Sequence, residues 1–348
     1  MVGPDGVRFP LRLALPGRAN RGNAAQAVAA APGGAVLSVG LRGGVPVSHL
    51  NLVVDRVEDE ATDVLSFTLR AADGEALPEW RPGAHLDVFL PSGKQRQYSL
   101  CGDPSDRFSY RIAVRRIPDG GGGSIEMHRH VRPGVALLVR GPRNAFTFVE
   151  APSYLFIAGG IGITPILPMA KAAGARGKLV YLGRSRASMP FLDELPEGEI
   201  RPDDEYGMPD VAGLLEQAEP GAAVYVCGPA PVLAAAQRTM FAVNPTGSLH
   251  TERFSARPVT DGREFDLTLA RTGRTIRVGA EETALAAIRR TVPDVVYSCQ
   301  QGFCGTCKTG VLAGEIEHRD RILPAAERAD HMLVCVSRAA GDALVINL

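Results

Sequence analysis

Four cysteines in the last 50 residues constrain this 348-residue chain more than any other feature. Cys299-Gln-Gln-Gly-Phe-Cys304-Gly-Thr-Cys307 has the spacing C-x4-C-x2-C, and Cys335 follows 28 positions later. This is the plant-type [2Fe–2S] spacing. Three thiolates on one tight loop must converge on a very small cluster, so the backbone has to curl around it. Gly302 and Gly305 permit the φ angles and close approach that a side chain would block. Loop N–H groups can then point at the sulfurs, and the fourth thiolate can come from a distant strand. Zinc is the rival metal, but it favours two separated C-x2-C pairs or added histidines. One C-x2-C occurs, and His318 and His331 fit no zinc spacing. The expected metal ligands are therefore Cys299, Cys304, Cys307 and Cys335.

The segment that carries them alternates at its start. Phe265, Leu267 and Leu269 would share one face of a strand, paired across Thr272-Gly273 with Thr275–Val278, and Glu281–Arg290 has helical spacing. Two strands, a helix and a Cys-rich loop outline a β-grasp domain over 263–348. Upstream, short β-rich runs separated by turn formers cover Asn51–Val54, Leu65–Arg70, His85–Leu90, Arg96–Leu100, Tyr110–Arg115 and Val135–Val139. Six such strands suggest a small antiparallel barrel over 48–149. Near Pro152 the pattern changes. Strands at Tyr154–Ala158, Lys178–Leu182 and Ala223–Cys227 alternate with helical stretches, which include Asp210–Gln217 and Pro231–Met240. That implies a parallel sheet and an α/β domain over 150–255. A polar linker follows at 256–262, and no internal repeat is evident.

Composition excludes several classes. Lys plus Arg equals Asp plus Glu at 38 each, and no sustained basic patch argues for nucleic acid. No uncharged apolar run reaches the ~20 residues of a membrane span. Cys101 and Cys227 stand alone, and a large chain without a convincing signal peptide is no candidate for a disulfide framework. The expected compartment is the cytoplasm. Residues 1–47, rich in Gly, Ala, Pro and Arg, read as a flexible extension, with a targeting segment as the alternative.

Three further motifs bear on chemistry. Arg96-Gln-Tyr98-Ser99-Leu100 offers a guanidinium fork for phosphate, an aromatic plane and a hydroxyl; a half-buried strand with a surface Arg is the plainer reading. Gly120–Gly123 followed by Ser124 presents backbone N–H groups at a helix start, a ready phosphate cradle; a hairpin loop would look similar. Gly159-Gly160-Ile-Gly162-Ile-Thr164-Pro165 follows a strand and opens a helix. It lacks the last glycine of G-x-G-x-x-G, but Pro is at home in a first helical turn.

Together these segments resemble the phthalate dioxygenase reductase and vanillate demethylase reductase family. In that family a flavin barrel and a nicotinamide domain of the ferredoxin-reductase type precede a plant-type ferredoxin domain. Arg81-Pro-Gly-Ala-His85 and Arg143-Asn-Ala-Phe146 match family stretches, with Trp80 and His85 read as structural. The resemblance implies that Arg96, Gly122, Gly123 and Ser124 hold a flavin phosphate, while Tyr98 and Ser99 contact the isoalloxazine. It implies FMN, with FAD as the alternative. It places Gly159, Gly160, Gly162 and Thr164 at the nucleotide, and Cys227-Gly228-Pro229 near the nicotinamide. It also puts Phe254 of His250-Thr-Glu-Arg-Phe254 near the flavin, although a buried Cys and a core Phe are the ordinary fates of such residues. Ser99, Cys227 and Phe254 are thus the candidates at the reacting centre. NADH is implied over NADPH, although Arg184 and Arg186 offer partners for a 2′-phosphate.

The expected activity is NAD(P)H-dependent electron transfer, since a flavin can accept a hydride and release single electrons to a cluster. No Rieske or mononuclear iron motif occurs, so the oxygenase is expected to be separate. By resemblance it is a Rieske-type aromatic oxygenase or demethylase, served by a monomeric reductase. Reduction of a cytochrome P450 or diiron monooxygenase is the alternative, and a bare electron carrier or redox sensor the non-enzymatic one. Glu315, Glu317 and Asp320 are expected as exposed charges on the docking face.

Overall fold

The computed structural model describes residues 49–348 apart from 120, 255, 257, 294, 298 and 321. All of these lie within one compact unit. The expected extension over 1–47 falls outside the described residues, as do Ser48, Gly120 and Ser255.

The first layer contains β1 (His49–Ala61), β2 (Val64–Ala71), β3 (Ala84–Phe89), β4 (Gln95–Ser99), β5 (Tyr110–Arg115) and β6 (Ala136–Asn144), with α1 (Gly123–His130) before β6. Their antiparallel order is β4-β3-β6-β1-β2-β5. A bridge between Leu100 and Ile112 joins the two edge regions and draws the sheet toward a barrel. The six expected strands are all present. β1 runs well past Val54 because bulges at Val54/Arg56 and Asp59/Ala61 let it stay paired with β2 through a charged stretch. Leu52, Val54, Phe67, Leu86, Val88, Ile112 and Val139 fill the interior.

The second sheet is parallel, in the order β11-β10-β7-β8-β9. Its strands are β7 (Tyr154–Gly159), β8 (Gly177–Gly183), β9 (Gly198–Pro202), β10 (Ala223–Cys227) and β11 (Ser248–Glu252). Helices α2 (Ile163–Ala173), α3 (Asp203–Tyr206), α4 (Val211–Leu215) and α5 (Ala230–Val243) connect them. β7 is buried along its whole length, as a strand covered on both faces must be. The helix expected over Asp210–Gln217 begins at Val211 because the Asp210 side chain caps it, accepting from the Ala212 N–H.

The third layer is ordered β13-β12-β18-β14-β16, with β12 (Phe265–Leu269), β13 (Arg274–Val278), β14 (Lys308–Ala313), β16 (His331–Leu333) and β18 (Ala343–Ile346). A small pair, β15 (Ile316–Glu317) and β17 (Arg338–Ala339), flanks it. α6 covers Ala284–Thr291 rather than Glu281–Arg290. Thr283 caps it by accepting from the Ala286 N–H, which leaves Glu281 and Glu282 ahead of the first turn. Phe265, Leu267 and Leu269 all face the core, as their alternation requires. Arg338 is buried and donates to the carbonyls of Glu282, Arg263 and Gly279, tying the residues before β12 to α6.

Candidate functional site

The cysteine loop closes as its glycines require. Gly302 and Gly305 have φ of +79° and +76°, and a Cβ on Gly302 would lie 2.7 Å from the Val336 side chain. All six cysteines are unpaired. Cys304 and Cys335 each lie within hydrogen-bonding reach of Cys299, and Cys335 also reaches Cys307. The Gln301 N–H donates to the Cys299 sulfur at 3.3 Å. Hydrogen bonds from Cys304 and Cys335 hold Cys299 well below an ordinary thiol, while Cys304 and Cys335 are pushed up. A hydrogen bond from Cys335 likewise lowers Cys307, so the set favours thiolates at Cys299 and Cys307, and bound cations allow all four to ionise together. Among the described residues no group of three or more such side chains sits at the spacing of a single metal ion. Four sulfurs gathered this closely fit a cluster with two irons, each needing two thiolates.

Asp320 is not an exposed docking charge. Its side chain is buried, and it accepts from the N–H groups of Ile322 and Leu323 at 3.2 and 2.9 Å. Burial alone would raise its pKa; the Leu323 N–H and His318 outweigh this and hold it low. It shapes the turn whose Ile322 packs toward Gly305. Glu315 is exposed and Glu317 half-buried.

β4 connects the three layers. Alternation puts Arg96 and Tyr98 on one side and Gln95, Gln97 and Ser99 on the other. Gln95 donates to the Thr306 hydroxyl in the cysteine loop at 3.4 Å. Gln97 donates to the buried Asp87, which Arg140 and Arg143 also bind. His85 is buried beside Gln97 and close enough to Cys299 to feel its charge. At the other end, Ser99 lies close enough to the carboxyl of Glu252, at the end of β11, to influence its titration. Glu252 pairs along the sheet with Cys227. Its carboxyl is pushed up to about 8 by burial, with Ser99 pulling the other way, and its Oε2 has no partner among the described residues. Burial, then the charge of Glu252, raises the Cys227 thiol, so it stays protonated. Glu252 belongs to the His250–Phe254 stretch but carried no role in the sequence reading; its convergence with Ser99 and Cys227 exists only in the fold. Phe254 is 47% exposed and so is not a core residue. The Arg253 carbonyl beside it accepts from Gln301 of the cysteine loop.

The glycine motifs divide by function. Arg96 donates to the Gly121 carbonyl at 2.9 Å, and a Cβ on Gly123 would lie 2.7 Å from its Nε. Glycine is needed there because the guanidinium lies against the loop. Gly122, at φ +77°, precedes α1, whose first N–H groups have no helical partner. Guanidinium, loop and helix start together suit a phosphate. The Ser124 hydroxyl accepts from the Ile117 N–H at 3.0 Å, so it also ties the loop to the end of β5. Tyr98 is half-buried against the barrel core. In the second motif, a Cβ on Gly159 would meet Pro229 and Gly228, and one on Gly162 would strike the Cys227 carbonyl. Those glycines, and Gly228, let two loops pack backbone to backbone. Gly160 has φ +53° and faces open space at the start of α2, where a nucleotide could approach. Thr164 is buried and donates to the Ile161 carbonyl, shaping the turn. Arg186 is held by Glu205 at 2.7 and 3.0 Å, whereas Arg184 is exposed.

The family described as the 2Fe-2S iron-sulfur cluster binding domain matches residues 267–340. Over 315 residues the chain is 38% identical to phthalate dioxygenase reductase of Burkholderia cepacia, covering 86% of this chain and 97% of that protein. A solved phthalate dioxygenase reductase, described as a modular structure for electron transfer from pyridine nucleotides to [2Fe–2S], superposes with a TM-score of 0.64. It is 36% identical over 86% of this chain and 98% of its own. Full-length CYP116B46 from Tepidiphilus thermophilus, 39% identical with a TM-score of 0.63, matches 90% of this chain, which spans 44% of its length.

Proposed function

Because the chain belongs to the family of phthalate dioxygenase reductase and related oxygenase reductase subunits, we propose that it passes electrons from NADH through FMN and a [2Fe–2S] cluster to a separate Rieske-type oxygenase. It is a flavin- and iron–sulfur-dependent oxidoreductase, a reductase component of an oxygenase system. The observation that carries the electron route is the position of β4. This strand of five residues brings Ser99 near Glu252 of the parallel sheet and donates from Gln95 to the cysteine loop.

Bound flavin supplies the conversion of a two-electron hydride into single electrons. The protein's share is placement. In this reading Arg96, the Gly121–Gly123 loop and the start of α1 hold the flavin phosphate, and Tyr98 and Ser99 line the ring. Gly160 and the start of α2 take the pyrophosphate of the nucleotide. Cys227, a protonated thiol, and Glu252 border the point where nicotinamide meets flavin, and Phe254 covers it. Cys299, Cys304, Cys307 and Cys335 ligate the cluster. Gln95 keeps the loop against the barrel and Gln301 keeps it against the end of the parallel sheet, so that electrons need not cross solvent.

FMN is favoured over FAD because the Gly122-Gly123-Ser124 stretch resembles the FMN-binding branch of the family. NADH is favoured because Glu205 occupies Arg186. Six unpaired cysteines suit a reducing cytoplasm, and no described helix is long and apolar enough to cross a membrane. The likeness to a full-length P450 supports a second reading, in which the acceptor is a P450 haem. The deciding experiment supplies the purified reductase and NADH to a Rieske oxygenase and to a P450, and measures product coupled to NADH consumed. Tight coupling with the Rieske enzyme alone supports the first reading; coupling only with the P450 overturns it.

A further inference from the structure

Tyr297 lies just before the cysteine loop, and its ring is shared by two arginines from different layers. The guanidinium carbons of Arg96 on β4 and Arg289 on α6 both lie over it, 4.7 Å from the centroid. Arg96 also donates to the Tyr297 hydroxyl at 3.0 Å. All three groups meet at one point of the glycine loop. A Cβ on Gly121 would collide with the Tyr297 hydroxyl and would lie 2.7 Å from Nη2 of Arg96 and 3.2 Å from Nη2 of Arg289. Lys94 adds a third cation beside the loop, its Cε 3.6 Å from the corresponding position on Gly122. Among the described residues, neither arginine has a carboxylate within salt-bridge distance. Like charges held this close repel one another, and a dianion between them turns that cost into attraction.

We propose that the flavin phosphate is held jointly by the barrel and the ferredoxin domain, with Arg289 as the ferredoxin domain's contribution and Tyr297 as the residue that positions both arginines. The inference rests on the flavin reading above and adds a consequence to it. A ligand gripped by two domains stabilises their docking, and docking strengthens the grip by the same factor. The phosphate would then do more than anchor the cofactor: it would fasten the cluster domain against the flavin that reduces it.

The test uses the full chain, stripped of flavin with its cluster intact, and titrates it with FMN and with riboflavin by flavin fluorescence. Arg289→Ala should weaken FMN about tenfold or more, the scale of one charge-assisted hydrogen bond, and change riboflavin less than about twofold. Arg289→Lys should fall between, since it keeps the charge but loses the fork. FMN, but not riboflavin, should raise the temperature at which the cluster's visible absorbance is lost, and this increment should vanish in Arg289→Ala. Unchanged FMN affinity in Arg289→Ala overturns the inference, and so does equal loss of both ligands, which would mark Arg289 as a structural contact alone. If the wild-type protein takes up neither flavin, the functional reading fails instead, whatever Arg289 does.

Discussion

Glu252 keeps its proton at neutral pH because a buried carboxylate without a cation partner is costly. As pH rises through about 8 that proton is lost, and in the proposed arrangement a negative charge then stands beside the point where hydride arrives. NADH-dependent ferricyanide reduction is expected to fall across this pH in the wild type and to stay level in Glu252→Gln. Folding carries the same sign. The folded pKa is raised above the ordinary 4.5, so the stabilising preference for the protonated form is full below about 4.5 and lost by about 8. Urea melts at pH values on either side of that window should show a smaller loss in Glu252→Gln. At the nucleotide end, Glu205→Ala frees Arg186. It should lower the KM for NADPH about two- to fivefold, the scale of one surface ion pair, with little effect on the KM for NADH. Spacing made the four cysteines legible in the sequence, because the metal dictates it. Glu252 was not legible in the same way: one acid in a short alternating run looks solvent-facing until parallel pairing sets it beside Cys227.

Among the elements, most strands with clear alternation or unbroken apolar runs were legible, and β4 was found with its Arg-x-Tyr-Ser order. β9 and β11 were missed as strands, and so were β14 to β18 of the third layer, including the short apolar run Ala343–Ile346. Gly198–Pro202 and Ser248–Glu252 are polar edge strands with little hydrophobic pattern, and their partners supply what their own sequences lack. The turn around Asp320 was misread for a related reason. Glu315, Glu317 and Asp320 look equivalent in the sequence, yet two backbone N–H groups and His318 turn only the last one inward. Replacing it strands those donors in a buried place. Asp320→Ala is expected to cost about 1–3 kcal/mol in chemical denaturation, and to speed loss of the visible cluster absorbance on heating. Glu315→Ala, at an exposed site, should do neither.

At the scale of the whole molecule, three layers that were separable in the sequence are joined by contacts that were not. Gln95 with Thr306, Arg96 with Tyr297 and Gln301 with Arg253 are each separated by tens to hundreds of positions. Polar side chains of this kind carry no sequence signature of their partners. Those contacts join three modules, and in the proposed route the cluster is the outlet. In that route electrons reach the cluster only by way of the flavin. Rapid anaerobic mixing of the holoprotein with NADH, with flavin absorbance and the cluster's EPR signal followed together, tests it directly. Flavin bleaching should come first and the reduced-cluster signal second. The flavin-stripped protein should give no cluster signal, and Cys304→Ser should keep the flavin phase alone. A cluster signal that precedes flavin bleaching, or that appears in the flavin-stripped protein, would contradict the proposed route.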